Sequence, residues 1–307
     1  MAKITASLVA QLRSKTGAGM MDCKKALTET DGDLDQAVDF LRKKGLSAAA
    51  KKSGRAAAEG LVVVAGTDKV GAIVEVNAET DFVAKNDAFV NFATKVAELV
   101  ADKAPADLEA LLALPFPGSE RTVREEQVHQ IATIGENINI RRFERREIDN
   151  GLNGLIESYV HGGGKIGVII ELQTDKGDNE EVKSVAKQLA MHVAAVAPQY
   201  LCRENVPADV VEKEKEIMRT KAVESGKPEN IVDKIIEGQI NKYFGEICLL
   251  EQAFVVDPDL KVNKLLEKTA KDVGAEIKLV DYVRFQLGEG LEKKQDDFAA
   301  EVAAMTK

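Results

Sequence analysis

The chain has 307 residues, of which 45% are hydrophobic and 5% aromatic, with no Trp, so a packed core of Val, Ile, Leu and Ala is expected and global disorder is not. Lys and Arg number 42 against 51 Asp and Glu, a net charge of −9, which leaves no basic excess for tracking a nucleic-acid backbone. The longest basic clusters, Lys43-Lys44, Lys51-Lys52 and Arg141-Arg142, read as solvated faces rather than binding grooves.

The first 45 residues read as three short helices. Thr5 caps the first, which carries Leu8 and Leu12 on one face, and Gly17-Ala18-Gly19 breaks it. The second covers about Met21 to Glu29. Asp31-Gly32-Asp33 starts a third, with Leu34, Val38 and Leu41 at helical spacing and Gly45 as its stop. So small a bundle buries little apolar surface alone, which suits a unit that binds a partner or docks on a neighbour. Ser47 to Ala58 reads as a helical linker.

From residue 60 the pattern alternates. Leu61-Val62-Val63-Val64 and Val70 to Val76 predict two strands joined across Gly66-Thr67-Asp68-Lys69 as a hairpin. A helix follows, with Phe89, Phe92, Val96 and Leu99 on one side. The text then recurs. Val70-Gly71-Ala72-Ile73-Val74-Glu75-Val76 matches Ile166-Gly167-Val168-Ile169-Ile170-Glu171-Leu172, and Thr80-Asp81 matches Thr174-Asp175. Phe92-Ala93, Val96-Ala97 and Val100-Ala101 match Val185-Ala186, Leu189-Ala190 and Val193-Ala194. Ile134-Gly135 with Ile138 and Ile140 matches Val273-Gly274 with Ile277 and Leu279. Four matches in one order predict a duplicated α+β core.

The copies differ in their insertions. The first holds a segment, 102–122, to which periodicity assigns no structure. The second holds two charged helices, Asp209 to Glu224 and Glu229 to Phe244, with Ile217, Met218, Ile231, Ile235 and Ile240 as a narrow apolar stripe. This pair either projects as an arm or folds onto its own core. Tyr282 to Leu287 alternates as an edge strand does, and Phe298, Val302 and Met305 mark a last helix.

No chemistry-bearing constellation emerges. Gly162-Gly163-Gly164-Lys165-Ile166-Gly167 satisfies GxGxxG, yet the glycines precede a strand instead of opening a helix, so they read as a hairpin turn. No P-loop, HExxH or GxSxG pattern occurs, and no cofactor or catalytic residue is expected. The cysteines Cys23, Cys202 and Cys248 form no CxxC pair and are expected as free thiols. The start lacks a secretory pattern, and no stretch approaches the roughly 20 apolar residues of a membrane span, so a cytoplasmic protein is expected. His192 reads as a core residue. His161, beside the glycine turn, reads as either a hydrogen-bonding contact or plain surface.

Thr80-Asp81-Phe82-Val83 stands out. Phe82 falls between strand and helix, where the second copy has Lys176-Gly177 and no Phe. The duplication does not need Phe82 to fold, so an interface anchor is favoured over a side chain tucked under its own helix.

Thr80 to Asn86, taken with Gly17 to Leu27, Ile134 to Arg142 and Arg284-Phe285, resembles the bacterial translation elongation factor Ts family, in the same order and over essentially the whole chain. The resemblance implies a guanine-nucleotide exchange factor for elongation factor Tu, an activity that needs no catalytic residue. It implies a ubiquitin-associated-like three-helix bundle and linker at 1–55 and core repeats at 56–150 and at 151–208 with 245–290. A dimerisation arm at 209–244 and a helical module at 291–307 would complete the chain. Arg13, Met20, Met21 and Lys24 would dock on the GTPase domain. Asp81 and Phe82, within Thr80 to Val83, would wedge near its magnesium site, and His161 with Gly162 would touch its far domain. Two rivals stand beside this reading: a binding module acting through the bundle alone, and a nucleotide-dependent enzyme using the glycine run.

Overall fold

The computed structural model describes residues 4–149, 152–226 and 228–291. It opens with helices α1 (Ala6–Thr16), α2 (Met20–Glu29) and α3 (Leu34–Lys52). Thr5 accepts from the Leu8 N–H and Asp33 from the Gln36 N–H, so each caps its helix. The bundle core is small, comprising Val9, Leu12, Cys23, Ala26, Leu27 and Ala37.

The third helix does not stop at Gly45. It runs on to Lys52 and absorbs half of the expected linker. Gly45 is buried, and a Cβ there would lie 3.6 Å from Val128 Cγ1 and from Ala132 Cβ on a neighbouring helix. The glycine therefore marks a close helix approach, and the Ala- and Lys-rich residues after it are strong helix formers.

Strands β1 (Glu59–Gly66) and β2 (Val70–Ala78) form the expected hairpin. Helices α4 (Asp87–Lys103), α5 (Leu108–Ala113) and α6 (Val123–Ile134) lead to β3 (Asn139–Glu147), which completes an antiparallel sheet in the order β1-β2-β3. The proline-containing segment is ordered. Pro115 bridges to Thr122, and Phe116 packs in the core with its ring 5.7 Å from that of Phe92.

The second copy begins with β4 (Gly154–His161), β5 (Ile166–Thr174) and α7 (Glu180–Val196). The charged hairpin α8 (Ala208–Glu224) and α9 (Glu229–Ile247) follows, then the ribbon β6 (Ala253–Phe254) and β7 (Asp257–Lys261). Helix α10 (Val262–Val273) and strand β8 (Ile277–Gln286) close an antiparallel sheet in the order β4-β5-β8. The architecture is α+β, and the duplication is visible in detail. Asn86 caps α4 as Asn179 caps α7, and Ala104 and Ala197 end those helices with φ of 47° and 50°. Gly135 and Gly274 end α6 and α10 in the left-handed region, and both central strands bulge after the matched glutamates Glu75 and Glu171.

The layers run helix, sheet, sheet, helix. Phe89, Phe92 and Val96 of α4 cover one face of the first sheet, and Val182, Val185 and Leu189 of α7 cover one face of the second. The opposite faces meet through Val62, Ile73, Ile156, Ile169, Val283 and Phe285. Strand β2 is consequently buried on both sides. His192 is fully buried: the Val255 N–H donates to its Nδ1 at 3.3 Å, so Nε2 carries the proton toward Gln252 Oε1, 3.0 Å away. Burial lowers its pKa and keeps it neutral.

Two expectations are corrected here. Arg141 and Arg142 are not a solvated face. Arg141 Nη1 lies 3.0 Å and Arg142 Nε 2.6 Å from the carboxylate of Glu75, which is fully buried and also accepts from the Gly288 N–H at 2.8 Å. Register decides this, because Arg142 pairs directly opposite Glu75 on the neighbouring strand. The hairpin seam keeps Met218 and Ile240 as expected but is shifted at the other three positions. Met218, Ala222, Val232, Ile236 and Ile240 are buried between α8 and α9, whereas Ile217 and Ile231 are exposed and Ile235 half-buried. The i, i+4 rows that face each other lie one position along from those isoleucines. The expected last helix, with Phe298, Val302 and Met305, lies outside the described residues. No helix among the described residues is long and apolar enough to cross a membrane.

Candidate functional site

The turn after β2 is built by its ends. Strand pairing stops at Ala78, and Asn86 caps α4 by accepting from the Ala88 and Phe89 N–H groups at 2.9 and 3.4 Å. Between them Val83–Lys85 forms one 3-10 turn. Val83 is 7% exposed and belongs to the first core, so it anchors the turn from beneath instead of presenting a surface. Phe82, one residue earlier, is 79% exposed. Burying a Phe stabilises a protein by roughly 1.5–3 kcal/mol, and here that gain is left unused by the isolated chain. Asp81 is also exposed, with Lys85 Nζ 3.9 Å from its carboxylate, a surface pair of little energetic weight.

The other side of the turn is tied to the corner between α6 and β3. Glu136 Oε2 accepts from the N–H groups of Glu79 and Thr80 at 3.1 and 3.0 Å, and Oε1 accepts from the Thr80 hydroxyl at 2.7 Å. In return Glu79 Oε1 accepts from the Asn137 N–H at 2.6 Å. The Asn137 amide donates to the Arg55 carbonyl at 2.8 Å. Sequence reasoning did not find this tie, because its halves lie far apart along the chain. The available signal was that Glu136 takes the place of Ala275 in the otherwise matched corner. Phe82, Val83, Asn86, Ala88, Thr133 and Ile134 surround a hollow of about 360 Å³ beside the ring.

A second surface lies on the bundle. Arg13, Met20, Met21 and Lys24 line one open groove of about 680 Å³, with Ile4 and Val9 at its floor. Met20 and Met21 are 60% and 73% exposed. Flexible thioethers flanked by two cations suit an adaptable docking surface. The helices place these four residues together because Arg13 lies in the last turn of α1 and the other three lie in the first half of α2, across the tight Gly17 turn of φ 68°.

His161 stands at the β4–β5 tip, exposed, with its Nδ1 2.9 Å from the Tyr159 hydroxyl. Gly162, Gly163 and Gly164 turn the chain with φ of 61°, 65° and 94°, forming the expected hairpin turn between β4 and β5. Gly164 accepts from the Val62 N–H at 2.7 Å, which fixes the tip against β1. The structure thus gathers Thr80, Asp81, Phe82 and Val83 in one turn and Arg13, Met20, Met21 and Lys24 in one groove, with His161 and Gly162 on a separate tip. Among the described residues no cluster of His, Cys, Asp and Glu could hold a metal ion.

A family model described as elongation factor TS matches residues 79–289. Elongation factor Ts of Syntrophotalea carbinolica is 67% identical over 305 residues, covering 99% of this chain and all of that protein. The proteins of the same name from Magnetococcus marinus and Trichlorobacter lovleyi are 52% and 55% identical, each over at least 98% of both chains.

Proposed function

The chain belongs to the elongation factor Ts family, and from that membership we propose that it is a guanine-nucleotide exchange factor for elongation factor Tu in translation elongation. It binds the GDP-bound GTPase, disturbs the magnesium and phosphate site with Asp81 and Phe82, and promotes GDP release so that GTP can load. The observation that carries the reading is the exposed Phe82 on a turn tied down at both ends. GTPases of this class hold GDP through phosphate contacts and Mg²⁺, which requires near-ideal octahedral geometry at about 2.0–2.1 Å. A rigid apolar wedge that shifts a supporting loop by an ångström spoils that geometry without proton transfer or a nucleophile. The factor binds the nucleotide-free GTPase better than the GDP-bound form, and linkage makes the weakening mutual.

In this reading the groove of Arg13, Met20, Met21 and Lys24 docks the bundle on the GTPase domain, and His161 with Gly162 reaches a second domain of the partner. The units follow as bundle and linker (1–55), first repeat (56–150), second repeat (151–208 and 245–290), arm (209–244) and terminal module (291–307). Exposed Ile217, Val223 and Ile231 support the arm as a dimerisation surface. Sedimentation equilibrium checks that point: a monomer at tens of micromolar removes it.

The deciding measurement is release of a fluorescent GDP analogue from purified elongation factor Tu with sub-stoichiometric amounts of this protein. Acceleration with turnover is expected, and Phe82→Ala is expected to lower it by about tenfold or more, the scale of an interface anchor. No acceleration of an active GTPase overturns the exchange function. Full activity of Phe82→Ala removes the wedge.

A further inference from the structure

The duplication supplies an internal control for the turn that carries Phe82. Both copies build the same bulged strand, the same Asn-capped helix and the same left-handed glycine corner. In the second copy the corner continues as Gly274-Ala275-Glu276, so a methyl group stands where Glu136 stands in the first. There the strand ends at Thr174, whose N–H is satisfied by the Asn153 carbonyl at 3.1 Å, and Lys176-Gly177-Asp178 leads directly to the helix cap. The first copy's strand is the same length, ending at Ala78 as the other ends at Thr174, but its connection to the helix cap is longer, running from Glu79 to Lys85, and it exposes Phe82. Strand pairing has ended by then, so the Glu79 and Thr80 N–H groups have no backbone partner across the sheet. One carboxylate takes both, and the Thr80 hydroxyl as well.

We propose that Glu136 is the positioning residue for nucleotide release: its carboxylate, with the reciprocal Glu79–Asn137 bond, fixes the exit of β2 and so aims Asp81 and Phe82 outward. The proposal rests on the wedge reading above. The fold does not require the carboxylate, since the second copy makes its corner without one. The three hydrogen bonds are made to an anion, which strengthens each and sets the direction of two consecutive backbone amides. Two consecutive peptide planes fixed at the base of a short turn leave little freedom two residues later, where Phe82 begins. Val83 in the core holds the far side. Without Glu136 the turn keeps its anchor at Val83 and loses its aim. Encounter and docking, which use other surfaces, are then preserved while the productive step slows.

The test is a double-mutant cycle on the limiting rate of GDP release from elongation factor Tu, measured at saturating exchange factor, with Glu136→Ala, Phe82→Ala and the double variant of the full chain. Glu136→Ala is expected to lower the limiting rate by about tenfold while its half-saturating concentration changes less than about threefold. In the Phe82→Ala background it is expected to have little further effect, because it acts through that ring. Amide exchange at Glu79 and Thr80 should quicken in Glu136→Ala and not in Phe82→Ala. Glu136→Gln, which retains one acceptor oxygen, should recover part of the rate, and serves the same cycle should the alanine variant fold poorly. Losses that multiply in the double variant, or an unchanged limiting rate in Glu136→Ala where Phe82→Ala is slow, overturn the positioning role and leave the wedge intact. A fully active Phe82→Ala removes the wedge itself.

Discussion

Gly71 of β2 and Gly167 of β5 occupy the same place in the two copies, and each receives the other copy's isoleucine. A Cβ on Gly71 would lie 3.3 Å from Ile169 Cγ2 and 2.7 Å from Ile156 Cγ2. A Cβ on Gly167 would lie 2.8 Å from Ile73 Cδ1 and 2.6 Å from Val62 Cγ1. Ile73 and Ile169 are themselves matched positions, so the two sheets meet about a local pseudo-twofold relation. The missing side chains let the sheets close over Val62, Ile73, Ile156 and Ile169.

The first prediction follows from that closeness. Gly167→Ala places a methyl group against two branched side chains that are already buried, and overpacking of this kind costs about 1–3 kcal/mol. Gly71→Ala should cost a similar amount. Urea denaturation of each variant measures it, and an unchanged midpoint with unchanged slope would contradict the contact.

The matched glutamates behave oppositely, and pH should reveal it. Burial of Glu75 pushes its carboxyl up, but hydrogen bonds from the Gly288 N–H, Asn77, Arg142 and Arg141 outweigh that and hold it below the ordinary carboxylate range. Its ionised form therefore stabilises the fold fully above the ordinary value. That contribution fades as pH falls through the ordinary value toward the lowered one. Glu75→Gln should reduce stability at pH 7 by about 2–4 kcal/mol, since two arginines lose their shared partner. It should also flatten the acid side of the stability profile below about pH 5. An acid limb as steep as in the parent protein would show that other carboxylates dominate it.

Glu171 has Asp281 directly opposite it, where Glu75 has Arg142. Burial raises its pKa, and Asp281 raises it further. The folded protein then holds this proton more tightly than the unfolded chain, so the group opposes folding once pH exceeds the ordinary carboxylate value, most fully above the raised one. Glu171→Gln should stabilise the protein at pH 7 by about 0.5 kcal/mol, the scale of a single partly exposed charge. The gain should vanish below about pH 3, where both states carry the proton. A loss at pH 7 would mean that Arg146, which pairs with Asp281 at 3.2 Å, also depends on Glu171.

The duplication explains which features could be read from one chain. Matched apolar runs revealed the two sheets and their helices, and the missing Phe in the second copy singled out Phe82, because both depend only on local order. Gly45 was misread for the converse reason. A glycine after a helical run is a stop signal locally, and only the approach of α6 shows that it is a contact. Met218 and Ile240 of the expected α8–α9 stripe stand in the seam, whereas Ile217, Ile231 and Ile235 yield to their neighbours Met218, Val232 and Ile236, because adjacent apolar residues satisfy the period equally until a partner helix selects a side. Glu136 and the Glu75–Arg142 pair needed strand register and a corner brought back from more than one element away. Neither is encoded in spacing.

The bundle groove and the Phe82 turn should separate kinetically. Met20 and Met21 are exposed, so truncating them removes little from the fold, and thermal unfolding of Met20→Ala and Met21→Ala should match that of the parent. In the complex each thioether would be buried against the GTPase, and its loss should weaken docking by about 1 kcal/mol, roughly fivefold in the half-saturating concentration. The limiting rate of GDP release should hold, because docking energy common to the ground and transition states of release alters binding and not the rate at saturation. Phe82→Ala should show the reverse, a lowered limiting rate with a smaller change in half-saturation. Titrating each variant against a fixed amount of elongation factor Tu loaded with the fluorescent nucleotide gives both numbers from one curve. Should Met21→Ala lower the limiting rate as Phe82→Ala does, the groove would be part of the release step, and the division between docking surface and wedge would have to be abandoned.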